Sequence, residues 1–370
     1  MEYTNIDDFI HAIKRLSLKG LYIVGGGRYG QAFGEYFHKY QIPWLGYIDR
    51  NVKLKEVDGK KVYSYQEVIQ NKAYYLISSY LHRDELIKEL CIHGVGMDRI
   101  IAYTDQNIFY EIYEDIVQWK KQVKRLRELK GIYEGKRCFI IGNGPSLKIE
   151  DLEKIDKDYS FACNSIYALY SQTKWRPSFY CATDSIFCKA MMSNKNDMKK
   201  VTDGCKMAFT SVIGNGIRYR DDPDFTIVHY MKILSDNPIK FSTDCSEQIY
   251  TGGTIAYEML QLAVYFGFKM IYLLGIDCNY AIEYHKDGSV TRNDLMDHDH
   301  MQELEEEEKK FWQAVQDRHG EREFAQIDMQ LAAYQKAKTY ADTHNIKIYN
   351  ATRGGKLEVF QRVEFDSLFV

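Results

Sequence analysis

Apolar and polar positions along residues 1–110 follow two alternating patterns. Short apolar runs bounded by glycine or polar residues predict buried strands, and there are four of them. The segment 33–39 instead has apolar positions three or four residues apart, which predicts an amphipathic helix. Strands that alternate with helices are typical of an α/β fold with a parallel sheet. The strands predicted here are 20–24, 44–48, 74–78 and 99–103.

A longer amphipathic pattern follows and divides the chain. Its apolar residues share one face of a helix, whereas lysines and arginines on the opposite face indicate a solvated surface rather than a nucleic-acid-binding patch. Glycines at the end of this pattern mark the start of a second domain. We therefore predict a small Rossmann-like domain at 1–110, a connecting helix at 111–135 and a larger α/β domain at 136–370, with mainly parallel sheets in both domains. The apolar face consists of Ile112, Ile116, Trp119, Val123, Leu126 and Leu129.

The second domain opens with a predicted strand, a glycine turn and a helix. The strand is 137–141, the turn is Gly142-Asn143-Gly144-Pro145-Ser146, and the helix starts from Leu147. Because glycine allows close backbone approach and the first N–H groups of a helix point outward, this turn can bind an anion. Ser146 can either cap the helix or bond a phosphate oxygen. Asn143, at a strand end, can fix a ligand through both the donor and the acceptor of its amide.

Polar residues also follow three further predicted strands of this domain, the last of which is 270–274. Asn164, Asp184 and Asp277 each follow an apolar run, and the carboxyl ends of neighbouring parallel strands are where such sheets bind ligands. The turn Thr251-Gly252-Gly253 precedes the apolar helix 256–266 and offers backbone amides to an anion. We expect these groups to converge. The structural alternative for Asp277 is a buried carboxylate that only bonds loop amides.

A glycine fingerprint also stands at the front of the first domain. Gly25, Gly27 and Gly30 have the spacing of a dinucleotide-binding turn, and Asp49 ends the next strand, where a Rossmann carboxylate would meet a ribose hydroxyl. The motif alone is weakly specific, so the alternative is that these glycines only permit a closely packed turn. The segment also resembles the small Rossmann-like domain found at the front of sugar-modifying enzymes.

Composition and charge exclude several classes of protein. The 370 residues are 45% hydrophobic and 27% charged, which argues against extensive disorder, and the net charge of -3 gives no long-range attraction to nucleic acid. The amino terminus lacks the features of a signal peptide, and no apolar run approaches the length of a membrane span. The eight cysteines have no paired CxxC spacing, which favours buried reduced thiols over a metal site. These features predict a cytoplasmic protein.

Several segments of the second domain carry a family resemblance. They are Ile140-Ile141-Gly142-Asn143-Gly144-Pro145-Ser146-Leu147, Cys163-Asn164, Thr251-Gly252-Gly253 and Ile271-Tyr272-Leu273-Leu274-Gly275-Ile276-Asp277. In this order and spacing, they resemble glycosyltransferase family 42, the bacterial sialyltransferases, together with the related motility-accessory-factor and MptE-like proteins. The closing segment 346–355 is most similar to the MptE-like branch. The resemblance covers roughly residues 136–370.

The resemblance implies a cytidine nucleotide at the glycine turn. In the sialyltransferases the equivalent Asn-Gly-Pro-Ser turn and the asparagine of the second strand hold cytidine monophosphate (CMP), and the later glycine turn contributes further contacts. Together with the strand-end residues, the predicted nucleotide-binding set is Gly142, Asn143, Gly144, Ser146, Asn164, Asp184, Thr251, Gly252, Gly253 and Asp277.

The same resemblance implies the catalytic groups. The family stabilises the departing phosphate with tyrosines after its Gly-Ile-Asp strand, which points to Tyr280 and Tyr284, and it uses a histidine as general base. His300, with His298 as the alternative, lies beside acidic residues in the corresponding stretch, and an imidazole can accept a hydroxyl proton near neutral pH. A solvated, charge-rich loop and a metal-binding Asp/His cluster are the competing interpretations.

The expected activity is transfer of a sialic-acid-like sugar from a CMP-activated donor to a glycan hydroxyl in bacterial surface polysaccharide synthesis. No cofactor is expected to be required, with Mg²⁺ left as an option, and homo-oligomerisation stays open. The alternatives are an MptE-like 6-hydroxymethylpterin diphosphokinase that uses ATP and magnesium, a noncatalytic nucleotide-sugar-binding protein, and a nicotinamide-dependent enzyme that uses the Gly25 turn.

Overall fold

The computed structural model describes residues 1–51, 55–68, 72–183, 201–211, 227–231, 233–235, 238–279, 282–284, 290–292 and 327–369. The chain divides into two compact units, Met1–Lys121 and Gln122–Val370, called unit 1 and unit 2 below. The division falls inside a helix that runs over Gln106–Glu128. The domain boundaries proposed from the sequence, 1–110, 111–135 and 136–370, stay a prediction.

Unit 1 contains a seven-stranded sheet in the order β1-β7-β6-β2-β3-β5-β4, parallel except for the β4–β5 pair. Its central strands are continuous apolar runs because both of their faces are covered by other parts of the unit. The first strand of the glycine motif, β2, lies between β3 and β6, so the strand order reverses there. The strands are β1 (Glu2–Tyr3), β2 (Leu21–Val24), β3 (Gly46–Ile48), β4 (Glu56–Val57), β5 (Lys60–Tyr63), β6 (Tyr74–Ile77) and β7 (Ile100–Tyr103).

The first helix of unit 1, α1, is stabilised by side chains at both of its ends. At the start of α1, the Asn5 side chain accepts hydrogen bonds from the backbone N–H groups of Asp7 and Asp8, at 2.8 and 3.2 Å. Acidic residues in its first turn and basic residues in its last turn complement the helix dipole. The helices are α1 (Ile6–Ser17), α2 (Arg28–Lys39), α3 (Tyr65–Val68), α4 (Arg83–Ile92) and α5 (Gln106–Glu128), with a 3-10 turn at Met97–Arg99.

Unit 2 contains an eight-stranded parallel sheet in the order β12-β11-β10-β9-β8-β15-β18-β19. Two small sheets accompany it, a parallel β13–β14 pair and an antiparallel β16–β17 pair. The strands are β8 (Arg137–Ile141), β9 (Tyr159–Cys163), β10 (Phe179–Ala182), β11 (Met207–Ser211), β12 (Ile227–Met231), β13 (Ile233–Ser235), β14 (Ile249–Thr251), β15 (Met270–Leu274), β16 (Ile282–Tyr284), β17 (Val290–Arg292), β18 (Lys347–Asn350) and β19 (Gln361–Arg362).

The core of unit 2 is built around one apolar helix. This helix, α7, packs against β8, β10 and a later helix, α8. It is buried over nearly its whole length, as expected for a helix in which Glu258 and Gln261 are the sole residues with a charged or amide side chain. The helices are α6 (Ile149–Lys154), α7 (Ile255–Tyr265) and α8 (Ile327–Thr343), with 3-10 helices at Asn164–Ser171 and Phe365–Phe369.

The predicted fold class is confirmed: both units are α/β with largely parallel sheets, as expected for two Rossmann-like domains. The predicted strands 137–141 and 270–274 match β8 and β15 residue for residue, and the other predicted strands shift by one or two residues at their ends. Within the described ranges, none of the helices combines the length and the apolar character that crossing a membrane requires.

Candidate nucleotide site

The carboxyl edge of the unit 2 sheet has one topological switch point, between β8 and β15. From β8, the chain adds β9 to β12 on one side, whereas β15, β18 and β19 lie on the other. Crevices at such points are where open parallel sheets bind ligands. Gly142 donates its N–H to Leu274 O and Gly144 donates to Gly275 O, both at 2.9 Å. The turn after β8 is therefore tied directly to the segment after β15.

The close approach of the turn after β8 to the segment after β15 requires a glycine at position 144. A Cβ atom built on Gly144 would lie 1.8 Å from Asp277 Oδ2 and 2.7 Å from Gly275 O, so a side chain has no room there. Gly275 itself has φ of +66°, a conformation that favours glycine. The glycines of both segments thus let two backbone loops touch at the switch point.

Ser146 and Asp277 form the polar centre of this contact. The Ser146 hydroxyl donates to Asp277 Oδ2 at 2.9 Å. Burial raises the pKa of the Asp277 carboxyl above its ordinary value, while the Ser146 hydrogen bonds and the charge of Arg362 act in the opposite direction. Of the two roles considered for Ser146, helix capping is wrong, because α6 begins only at Ile149 and the residue in its N-cap position is Lys148.

The pH dependence of stability tests the environment of Asp277. Because its folded-state pKa is raised, the wild-type free energy of unfolding loses a contribution as pH rises from the ordinary carboxyl value of 3.8 through the raised value. Asp277→Asn removes this titration, and the amide oxygen can still accept from Ser146. We expect the variant to gain stability relative to wild type between acidic and neutral pH, measured by urea unfolding at several pH values.

Asp366→Asn is the matched control with the opposite sign. Lys154 and Arg353 lower the pKa of Asp366, so its contribution is present above the ordinary carboxyl value and is lost as pH falls through the lowered one. This variant should lose stability relative to wild type as pH rises. Two variants that respond in the same direction would contradict the assignment for Asp277.

Asn143 links β8 to β9 at the same edge. Its side chain is buried, and its Nδ2 donates to Cys163 O, the last carbonyl of β9, at 3.1 Å. The residue is therefore structural as well as a candidate ligand contact. A change to alanine would leave the Cys163 carbonyl without this donor. Asn143→Ala should therefore lower the free energy of unfolding.

Asn164 follows β9 directly and has an unusual environment. Its backbone is left-handed, with φ of +48°, and its carbonyl accepts the Tyr180 hydroxyl at 2.8 Å. Its side-chain Oδ1 is shielded from solvent and has no hydrogen-bond partner among the residues that the structure describes. A buried acceptor left unsatisfied is costly, so this oxygen is suited to receive a donor from a ligand.

The turn Thr251-Gly252-Gly253 is shaped by the packing of α7 and α8. A Cβ on Gly252 would lie 2.3 Å from Ala333 Cβ, and Gln330 Nε2 donates to Gly253 O at 3.0 Å. Thr254 caps α7. Packing thus explains Gly252.

The segment after β18 supports the β15 loop, which the sequence interpretation missed. Thr352 Oγ1 accepts Ile276 N–H at 3.1 Å, and Lys356 N–H donates to Asp277 O at 2.7 Å. Asn350, almost fully buried, bonds Thr352 N–H and Leu357 O at 3.0 and 2.7 Å. The resemblance of 346–355 to the MptE-like branch was the available signal for this role.

Several predicted site residues cannot be placed. Asp184, Tyr280, His298 and His300 lie outside the described residues, and of Tyr284 only the backbone, in β16, is described. Their proposed roles stay predictions. Across the described ranges, no group of three or more His, Cys, Asp or Glu side chains could hold a metal ion.

In unit 1 the glycine fingerprint forms a tight turn at the β2–β6 switch point. Gly26 N–H donates to Asp49 Oδ2 at 2.7 Å, and a Cβ on Gly30 would lie 1.8 Å from Gly25 O. Gly27 stands in the N-cap position of α2, facing open space. Close packing therefore accounts for Gly25 and Gly30, and nucleotide binding by this turn stays a prediction.

Comparisons with known proteins found a family match and a structural match. Residues 110–283 match the family model described as 6-hydroxymethylpterin diphosphokinase MptE-like. No curated protein matches the chain significantly. A solved structure, the MAf glycosyltransferase from Magnetospirillum magneticum AMB-1, aligns with 98% of this chain at 14% identity and a TM-score of 0.40. The chain spans 62% of the length of that protein's chain. The family match includes both loops of the switch point, and it confirms the resemblance of this chain to the MptE-like proteins.

Proposed function

We propose that the protein is a glycosyltransferase that binds a CMP-activated, sialic-acid-like donor at the β8–β15 edge and transfers the sugar to a glycan hydroxyl. Its setting would be bacterial surface polysaccharide synthesis in the cytoplasm. The family match and the site at the switch point support a nucleotide-using transferase. The choice of a CMP-sugar rests on the resemblance of the Asn143–Ser146 turn and Asn164 to the sialyltransferases.

The observation that carries the placement of the nucleotide is the buried Oδ1 of Asn164. This acceptor lacks a hydrogen-bond partner among the described residues, at a strand end beside the switch point. Cytidine carries an exocyclic amino group and ribose hydroxyls, each of which can donate to it. In the free protein the unsatisfied oxygen costs stability, and a bound nucleotide would recover that cost.

The proposed reaction is displacement at the anomeric carbon of the donor sugar, with CMP as the leaving group. A negative charge grows on the departing phosphate, so groups aimed at that phosphate lower the barrier. The Ser146 hydroxyl is proposed to meet it by exchanging its hydrogen bond to Asp277 for one to a phosphate oxygen, whereas the N–H groups of Gly142 and Gly144 already donate to backbone carbonyls. Tyr280 and Tyr284 are proposed to assist, and His300, or His298, is proposed to take the proton of the acceptor hydroxyl.

Asn164→Gly tests the nucleotide placement. Glycine tolerates the left-handed backbone at this position, so the change removes the amide without adding backbone strain. We expect CMP affinity to fall by about tenfold, equivalent to one lost hydrogen bond of about 1.4 kcal/mol, with little loss of thermal stability. Isothermal titration calorimetry with CMP and a thermal melt of the free protein would measure the two effects.

Asn345→Gly is the matched control. Asn345 is also an asparagine with a left-handed backbone, with φ of +54°, but it is exposed in the turn before β18. Its replacement should leave CMP affinity unchanged. Equal CMP affinity for wild type and Asn164→Gly would reject the placement of the nucleotide beside Asn164.

The second candidate is an MptE-like 6-hydroxymethylpterin diphosphokinase, favoured by the family model that matches residues 110–283. Asp277, Ser146 and Asn143 supply the oxygen atoms that Mg²⁺ prefers, so these residues fit a magnesium ion shared with substrate phosphates. Thermal shifts distinguish the candidates. Stabilisation by CMP supports the glycosyltransferase, stabilisation by ATP with Mg²⁺ and pterin supports the kinase, and stabilisation by NAD would support a nicotinamide-dependent enzyme.

Product analysis then separates an enzyme from a noncatalytic nucleotide-sugar-binding protein. Mass spectrometry of a panel of CMP-sugars and glycan acceptors should show an acceptor that has gained the mass of the donor sugar. Binding of CMP-sugars without transfer or hydrolysis across the panel would favour the noncatalytic alternative.

A further inference from the structure

The amino ends of three neighbouring strands in unit 1 meet around Gly20. Gly20 directly precedes β2, and the strands on either side of β2 are β3, preceded by Leu45, and β6, preceded by Ala73. A Cβ atom built on Gly20 would lie 3.2 Å from Leu45 Cδ1 and 3.6 Å from Ala73 Cβ. The segments that lead into these strands therefore form one continuous surface at the amino edge of the sheet.

Five exposed residues of this surface, called the leucine–cation edge below, are apolar or positively charged. They are Arg15, Leu18 and Lys19 at the end of α1, Leu45 before β3 and Lys72 before β6. Leu18 is 79% exposed and Leu45 is 47% exposed. Single exposed apolar side chains are common on protein surfaces, but here two leucines lie near the same glycine and among cations. The combination points to a partner rather than to water alone.

The three cations of the leucine–cation edge are not offset by acidic groups. Within the part of the chain that the structure describes, Arg15, Lys19 and Lys72 take part in no ion pair. The sequence contains no aspartate or glutamate over 9–34, 36–48 or 68–83. The segments before β5 and β7, 55–61 and 97–99, contain at least as many basic as acidic residues. The edge is therefore locally positive, although the net charge of the chain is -3.

An anionic lipid surface matches both components of this edge. Leucines can enter the boundary between headgroups and acyl chains while neighbouring cations meet the lipid phosphates. Nucleic-acid phosphates would use the cations but leave the leucines exposed to water. A second copy of the chain would place the same cations against one another across a two-fold interface, and like charges oppose that contact.

We propose that the leucine–cation edge docks unit 1 on the surface of an anionic membrane. Leu18 and Leu45 enter the headgroup boundary, and Arg15, Lys19 and Lys72 contact lipid phosphates. Such docking is peripheral and reversible, because few apolar side chains are buried in the lipid. The proposal does not depend on the reaction at the candidate nucleotide site, since all five residues belong to unit 1.

Sedimentation of the full chain with lipid vesicles tests the partner. We expect binding to vesicles of equal parts phosphatidylcholine and phosphatidylglycerol, and binding about tenfold weaker or more to phosphatidylcholine alone. Binding should weaken as ionic strength rises from about 0.01 to about 0.15 M, because the Debye length falls from about 30 to about 8 Å. No binding to the anionic vesicles, or equal binding to both kinds, would overturn the proposal.

A triple variant, Arg15→Gln with Lys19→Gln and Lys72→Gln, tests the cations. It should weaken binding to the anionic vesicles about tenfold or more, because each cation near an anionic surface contributes to the attraction. All three side chains are exposed, so the free energy of unfolding should change little. Undiminished vesicle binding by this variant would overturn the proposal.

The matched control removes the same charge from three other exposed lysines that form no ion pair within the described ranges. It combines Lys55→Gln, Lys88→Gln and Lys121→Gln. This control should retain most of the vesicle binding, because these lysines lie outside the leucine–cation edge. A loss equal to that of the first triple variant would show that net charge alone drives binding and would overturn the proposal.

Leu18→Ser tests the apolar component. Because Leu18 is 79% exposed, the change should leave the folded state intact and weaken vesicle binding about threefold or more through lost apolar burial. Leu81→Ser is the matched control, since Leu81 is 70% exposed but follows β6 at the opposite edge of the sheet. Equal vesicle binding by the two variants would overturn the role of the leucines.

Two further measurements exclude the other occupants of this edge. Light scattering should give the same mass for wild type and for the first triple variant. Duplex DNA should bind the wild type more weakly than the anionic vesicles do at the same salt concentration. A dimer that the triple variant loses, or DNA binding as tight as vesicle binding, would overturn the assignment to lipid.

Discussion

Replacing His300 by glutamine is expected to lower the rate of sugar transfer by about 10²–10⁴-fold and to leave CMP binding intact. In the proposed reaction this histidine removes the proton from the acceptor hydroxyl. An imidazole can do so near neutral pH, whereas the neutral amide of glutamine is too weak a base. Turnover would be measured at saturating CMP-sugar and acceptor, using the pair that product analysis identifies, and CMP affinity would be measured by calorimetry.

Two further histidines serve as controls, because the resemblance aligns this stretch only loosely. His298→Gln and His319→Gln should retain most of the transfer rate if His300 is the base. A large loss in His298→Gln alone would move the role by two residues and keep the proposed reaction. Near-wild-type turnover of His300→Gln would remove that residue from the mechanism.

The strands of the sheets were the most predictable elements of the fold. Parallel strands are covered on both faces, so β8 and β15 are apolar throughout their interiors, and glycine follows each strand at its carboxyl end. Their limits could therefore be read from the sequence to the residue. The start of α5 was harder to predict, since the helix begins at Gln106, before the predicted boundary at 111.

The candidate site was predictable in its parts but not in its contacts. Strand-end positions identified Asn143, Asn164 and Asp277, because ligand-binding residues gather at the carboxyl ends of parallel strands. The pairing of β8 with β15 depends on segments far apart in the chain, and local patterns do not specify it. The hydrogen bond from Ser146 to Asp277 follows from that pairing, and the contact of Asn143 with the end of β9 follows from the pairing of β8 with β9.

Backbone conformation set a second limit on prediction. The left-handed φ of Asn164 is compatible with asparagine but is not required by it, so the sequence gives no direct sign of it. The hydrogen bond of Thr352, whose hydroxyl accepts the Ile276 N–H, was equally hard to predict. A threonine in a loop has many other possible partners, and only the return of the chain after β18 selects this one.

Gly144→Ala is expected to damage both the stability of unit 2 and its nucleotide site. The new methyl group would overlap Asp277 Oδ2 and approach Gly275 O to 2.7 Å. The carboxylate can rotate away, but the Gly275 carbonyl belongs to the backbone and already accepts the Gly144 N–H. The turn must therefore shift, at a cost of about 1–3 kcal/mol in the free energy of unfolding. CMP affinity should fall by about tenfold or more, because the turn amides and Ser146 move with it.

Gly27→Ala is the control for the substitution itself, since a Cβ there meets no atom within 4 Å and the backbone φ is -75°. It should leave CMP binding unchanged and lower the free energy of unfolding by about 1 kcal/mol or less, because Gly27 is the N-cap residue of α2 and alanine is a poorer N-cap than glycine. Adding Asp277→Ala to Gly144→Ala separates the two clashes in a double-mutant cycle. If the carboxylate causes most of the overlap, the second change should restore part of the lost stability. Full stability and full CMP affinity of Gly144→Ala alone would contradict the close contact between the two loops, and with it the placement of the nucleotide at this switch point.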